Sequence, residues 1–232
     1  MAELSADRLL DGRVLLAQPL AGYRVAIDPI LLAAATPIHA AQRLLDAGCG
    51  SGAAMLCVLA RAPACRAVGL EAQADLAEIA RRNLAANGLT DRATIVVGDV
   101  AGLPACAGER PFDVVIANPP FLPERAGTPS PRTQRRAAHV ESLTLASWVD
   151  ACLRALRPGG WCVVIQRADR LAELCAALAP GCGDVAIFPL WPKADSAAAR
   201  RVIVRARKGG RGPTRLARGL VLHEADGRYT AA

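Results

Sequence analysis

Arg43-Leu44-Leu45-Asp46-Ala47-Gly48-Cys49-Gly50-Ser51-Gly52 reads as a short apolar strand followed by three glycines at alternate positions. From Ala53 to about Ala60 the alanine- and leucine-rich run predicts a helix. Glycines between a strand and a helix allow positive φ and a close approach of the backbone to a ligand, and the helix behind them aims its free N–H groups the same way. Working outward, Cys65–Leu70 predicts a second strand that ends at Glu71. Leu76, Ile79, Ala80 and Leu84 recur at helical spacing over residues 73–87, and Asn87-Gly88 closes that helix. A third strand, Ala93–Val97, ends at Gly98-Asp99, and a fourth spans Phe112–Ala117. Strands alternating with helices predict an α/β fold with a mostly parallel sheet covered on both faces.

The flanks extend the pattern. Asp11-Gly12 before Val14-Leu15-Leu16 predicts a hairpin covering one end of the domain. Asp28-Pro29 predicts a helix start, with Asp28 as its cap and Pro29 in first position, and Thr36-Pro37 a break. Residues 122–136, with three prolines, a glycine and four arginines, read as a mobile loop. A helix over Ser142–Leu156 follows, then a sharp turn at Arg157-Pro158-Gly159-Gly160 into a strand Trp161–Ile165. A helix over Arg167–Leu178 and an edge hairpin of Val185–Leu190 with Arg201–Ala206 complete the elements. Residues 207–232 read as a basic tail with one apolar run, Leu220–Leu222.

With 232 residues, 53% apolar and only 3% aromatic, the chain has the material for one α/β core built mainly from Ala, Leu and Val. Phe121, Trp148, Trp161 and Trp191 are among its few large rings. Eight cysteines form no Cys-x-x-Cys pair and mostly sit in apolar runs, so neither a metal site nor a disulfide framework is expected. The N-terminus does not read as a secretory signal, and no apolar run is long enough to span a membrane, so the expected compartment is the cytoplasm. A net charge of +7 makes nucleic acid the first candidate partner.

The glycine loop alone admits two ligands. Gly48, Gly50 and Ala53 satisfy the relaxed dinucleotide fingerprint, and Glu71 suits a ribose hydroxyl in either case. Asp46 and Asp99 separate them. A carboxylate beside the loop repels a pyrophosphate and favours a cationic ligand, while Asp99 at the third strand end can accept from an adenine amino group. The implied ligand is an adenosine with a positively charged tail, which S-adenosylmethionine fits. Taken singly, Asp46 also reads as a helix cap and Asp99 as a turn residue.

Phe112–Ala117 runs into Asn118-Pro119-Pro120-Phe121. Paired prolines end the strand and hold Asn118 extended, at the sheet edge where open α/β folds bind ligands. An aryl amine or a carboxamide is a weak nucleophile because its lone pair is delocalised. Two acceptors on its N–H bonds, the Asn118 side-chain oxygen and the Pro119 carbonyl, would align that lone pair and stabilise the charge growing on nitrogen. Phe121 offers a face for a planar base.

Leu44–Gly52, Glu71, Asp99 and Asn118–Phe121 together resemble a class I S-adenosylmethionine-dependent methyltransferase of the amino-methylating kind. Asp11–Val14, Gly22-Tyr23-Arg24, Asp28–Ala33, Pro158–Gly160 and Leu220–Glu224 are similar to the bacterial tRNA-Val adenine-N6 methyltransferase group, so the likeness covers nearly the whole chain. It implies a Rossmann-like domain over 1–232 with a seven-stranded, mostly parallel sheet containing one antiparallel strand. Residues 1–40 would cover the cofactor site, 41–206 form the core and 207–232 the tail. It further implies Asp46, Gly48, Gly50 and Gly52 near the methionine part, Glu71 on ribose, Asp99 on adenine, Asn118 on the target amine, and Tyr23, Arg24 and Asp28 in a segment closing over the cofactor. The group modifies the adenine 3′ of the anticodon. One departure is Phe121, where many amine methyltransferases carry tyrosine.

The same motif resembles methyltransferases of a glutamine carboxamide in release factors. Arg125, Arg132, Arg135 and Arg136 after the motif, and the acid-free run from Arg200 to Arg218, favour a phosphate backbone and hence RNA, most simply tRNA. A non-catalytic RNA-binding module retaining the cofactor is a further rival, against which the intact Asn118 argues.

Overall fold

The computed structural model describes residues 3–20, 25–103, 111–120 and 143–231. Strands β1 (Leu4–Leu9) and β2 (Val14–Pro19) form an antiparallel hairpin of their own. After α1 (Asp28–Ala35) come β3 (Arg43–Ala47), α2 (Ala53–Arg61), β4 (Arg66–Glu71), α3 (Ala74–Ala86), β5 (Ala93–Val97) and β6 (Phe112–Ala117). Then follow α4 (Leu145–Ala155), β7 (Leu156–Arg167), α5 (Leu171–Leu178), β8 (Cys182–Trp191) and β9 (Arg201–Lys208), with two short strands, β10 (Arg215–Leu216) and β11 (Leu220–Val221).

The main sheet has the order β5-β4-β3-β6-β7-β9-β8, and only β9 runs antiparallel to its neighbours. This is the expected seven-stranded arrangement, widened by β10 and β11 pairing with β8. The expected featureless tail is therefore partly sheet: Leu220 and Val221 align with Leu190 and Trp191, and Thr230 and Trp191 hydrogen-bond into the same corner.

Alternation along β6 divides the core. Val114 and Ile116 join α1, α2 and the hairpin on one face; Val115 and Ala117 join α4 and α5 on the other. Phe112, one of the largest fully buried side chains, breaks the alternation by facing α4 and α5. A register irregularity between Phe112 and Val114 accounts for it. The partner segment is Arg157–Gly160, which the sequence pattern assigned to a turn but which lies inside β7. A Cβ on Gly160 would sit 2.9 Å from the Asp113 carbonyl, so glycine lets the two backbones close here.

The hairpin is held by two amides, Asn83 in α3 and Asn87 at its C-terminal cap. Asn83 donates to the Ala17 carbonyl and accepts from its N–H, both at 2.8 Å, and Asn87 does the same for Leu15 at 2.7 and 2.8 Å. Four residues apart on a helix and two apart on a strand, they imitate a neighbouring β-strand along the edge of β2. Asn83 also donates to the Ser51 carbonyl at 2.9 Å, tying hairpin and glycine loop together.

Smaller differences are local. Thr36 ends α1, its hydroxyl donating to the Leu32 carbonyl. The last predicted helix begins with a 3-10 turn at Ala168–Arg170 before α5, and Thr144, accepting from Ser147 N–H, starts α4 at Leu145. No helix among the described residues is long and apolar enough to cross a membrane.

Candidate active site

The glycines after β3 have φ of +75° (Gly48), +56° (Gly50) and +87° (Gly52), values that disfavour any residue with a Cβ. Gly48 and Cys49 N–H groups both donate to the Leu70 carbonyl at 2.9 Å, which folds the loop over β4. Glu71, 6% exposed, accepts from Gly50 N–H at 2.8 Å and Gln73 N–H at 2.9 Å through separate oxygens, bridging the loop to the start of α3. Asp46, 2% exposed, accepts from Met55 N–H in the first turn of α2 at 3.2 Å. Burial pushes its carboxyl up to about 7, the Met55 bond opposing and the negative Glu71 reinforcing. Asp99 accepts from Ala101 N–H at 2.8 Å and so starts the 3-10 turn Val100–Gly102. Parallel pairing aligns Asp46 with Gly69 and Glu71 with Val97, so the three acids rim one edge of the sheet.

Ala117 pairs with both Ala47 and Val164, which brings Asn118 out of β6 beside the glycine loop. The Asn118 Oδ1 atom is buried and has no hydrogen-bond partner. Among the described residues the other such side-chain atoms are Ser51 Oγ, Trp148 Nε1 and Gln166 Nε2. All four lie at the ligand edge: the glycine loop, the end of β6, the first turns of α4 and the end of β7. Buried polar atoms are nearly always paired, so four orphans at one edge mark a place where a ligand supplies the partners. Trp148 lies between the two motifs. Its ring lines a cleft with Pro119, Pro120, Thr144 and Leu145, and its Cζ2 would be 2.9 Å from a Cβ on Gly48.

Residues 26–174 match the family model described as the methyltransferase small domain. The chain belongs to this family. It is 35% identical over 157 residues to a tRNA1(Val) (adenine(37)-N6)-methyltransferase of Porphyromonas gingivalis, covering 65% of this chain and 61% of that protein. To the protein of the same description from Aeromonas hydrophila it is 31% identical over 210 residues, 89% of this chain and 85% of that one. To a release factor glutamine methyltransferase of Caulobacter vibrioides it is 36% identical over 148 residues, but these cover 59% of this chain and 48% of that protein. The crystal structure of a predicted O-methyltransferase from Agrobacterium tumefaciens superposes with a TM-score of 0.72 at 27% identity, covering 88% of this chain and 92% of the other. The fold of this methyltransferase small domain is the class I fold expected from the sequence.

Several expected site residues sit elsewhere or lie outside the description. Tyr23, Arg24, Phe121, Arg125, Arg132, Arg135 and Arg136 are outside the described residues, as is the segment read as a mobile loop. Asp28 is inside α1 rather than capping it, Ile27 taking the cap position without a side-chain bond. Its carboxylate instead pairs with Arg201 Nε at 3.2 Å, because α1 packs over the start of β9. The arginine run from Arg200 does not gather at the acceptor mouth. β9 carries it down the full height of the sheet, so that Arg205 and Arg207 flank Trp161 at the opposite end, and Lys208 donates to the Leu153 and Leu156 carbonyls. Trp148 was legible in sequence only as a large ring and Gln166 not at all, since neither belongs to a local motif. The seven described cysteines are free, and burial pushes the Cys57 and Cys65 thiols up to about 11.

Proposed function

We propose that this chain is an S-adenosylmethionine-dependent N-methyltransferase acting on the exocyclic amine of adenine in RNA, specifically tRNA near the anticodon. The observation that carries the reading is the buried, unpartnered Asn118 Oδ1 at the end of β6, beside three positive-φ glycines. The residues fit the cofactor: buried Asp46 offers a carboxylate to a cationic tail, Glu71 to ribose hydroxyls, Asp99 to the adenine amine, and Gly48, Gly50 and Gly52 leave the backbone bare for the methionine part. Tyr23, Arg24 and Asp28 are further cofactor contacts in this reading. When bound, the cofactor supplies an electrophilic methyl group on a sulfonium.

The chain's own residues do the rest. Asn118 Oδ1 and the Pro119 carbonyl accept from the two N–H bonds of the amine, turning its lone pair toward the methyl group and stabilising positive charge on nitrogen in the transition state. Phe121 stacks on the base, and Arg125, Arg132, Arg135 and Arg136 hold the phosphate backbone. The whole of 1–232 works as one domain in this reading, with the hairpin and α1 over the cofactor side.

A glutamine carboxamide offers the same amine geometry, and both kinds of relative match. The alignment to the Aeromonas protein reaches well beyond the shared motifs, which favours RNA. Incubation with labelled S-adenosylmethionine, tRNA and protein fractions decides between them: label is expected in tRNA, and label in protein alone overturns the reading. Neutralising Arg132, Arg135 and Arg136 together should weaken tRNA binding and reduce its salt slope by about two to three; an unchanged slope would move the RNA face elsewhere.

A further inference from the structure

We infer that Trp148 is a specificity residue of the acceptor pocket: its indole N–H donates to the ring nitrogen that flanks the methylated amine. The inference rests on the adenine reading above and adds a contact that the Asn-Pro-Pro motif does not provide. Trp148 Nε1 is buried and has no partner among the described residues. Indole nitrogen is a donor only, so a buried site that leaves it empty is costly unless a ligand brings an acceptor. The ring lies close to Gly48 and lines the cleft with Pro119 and Pro120. It is fixed there by α4, whose first turn is closed by the Thr144 hydroxyl on Ser147 N–H at 3.1 Å, and by the core behind Val149 and Cys152.

The paired requirement defines the ligand edge. Asn118 Oδ1 needs a donor and Trp148 Nε1 needs an acceptor. An adenine presents both side by side: the exocyclic N–H and the lone pair of a neighbouring ring nitrogen, N1 or N7. Neither Asp46 nor Glu71 reaches the Trp148 N–H; their donors are the Met55, Gly50 and Gln73 N–H groups.

The test couples a residue change to an atom change. tRNA carrying 1-deazaadenine or 7-deazaadenine at the target loses one ring acceptor and keeps the amine. One of the two should lower kcat/KM of the wild type about ten- to a hundredfold. Trp148→Phe should lower kcat/KM for normal tRNA by a similar factor and be insensitive to the same deaza substitution. Cofactor binding by the variant, measured calorimetrically, checks that it is folded and should change less than about twofold. Equal deaza effects in both enzymes overturn the contact while leaving the adenine reading intact. Loss of cofactor affinity matching the loss of turnover also overturns it, placing the N–H on the cofactor. Failure of the wild type to label RNA at all sinks the adenine reading and the ring-nitrogen contact with it. The deaza comparison in the wild type stands even if the variant proves unstable.

Discussion

The two ends of the parallel strands are built on opposite rules. At the C-terminal end, four buried polar atoms of the described residues lack partners and a carboxyl is buried with a single hydrogen bond. At the N-terminal end, cations are matched to acceptors. Arg92 donates to the Leu59, Ala62 and Pro63 carbonyls at the end of α2, Arg66 to the Asp91 carbonyl, and Arg43 to the Pro111 carbonyl. Burial would raise the Asp113 carboxyl, but the Arg43 N–H and the Arg157 guanidinium, 2.6 Å away, hold it below its ordinary value. One end is finished by the protein itself; the other is left for something else to finish. Arg43, Arg66 and Arg92 are thus engaged in closing helix and loop ends.

Changes at the ligand end should remove function with little loss of stability, and changes at the other end the reverse. Asn118→Ala should lower methyl transfer by about a thousandfold with cofactor affinity retained; near wild-type turnover in a steady-state assay would refute the assigned mechanism. Gly48→Ala mixes the two: it forces a Cβ into positive φ and against Trp148, and should cost about 2–4 kcal/mol in urea unfolding together with cofactor binding. Arg92→Ala should lose about 1–3 kcal/mol of stability while turnover per folded molecule stays unchanged. A fall in turnover there would blur the division between the ends.

Asp46 sharpens the contrast through pH. Its folded value is raised from 3.8 to about 7, so the native chain binds more protons than the unfolded one in that window. Its contribution to stability is therefore present below the unfolded value and lost as pH rises toward 7. Cofactor affinity should move the other way. A cation binds the ionised carboxylate, so the dissociation constant should fall by up to about tenfold per pH unit on approaching 7 and level off above it. Asp46→Asn should flatten both profiles; a wild-type affinity independent of pH would show that Asp46 does not face the cation.

What the sequence determined by itself is local. Period-two and helical apolar spacing placed the strands and helices, three glycines marked the loop before α2, and paired prolines marked the end of β6. Each of these is fixed by backbone sterics within a few residues. The alternation also carried the strand order's main feature, a parallel sheet with an antiparallel edge hairpin. The tertiary structure decided everything that joins distant residues: Trp148 against Gly48, Asn83 and Asn87 as a surrogate strand for β2, Asp28 on Arg201 instead of a helix cap. It also decided that Arg157–Gly160 is strand, because only the facing Asp113 backbone makes that approach useful. Whether a polar atom is buried and unpaired, and hence where a ligand is called for, depends on what packs around it from every side. No window of sequence contains that information.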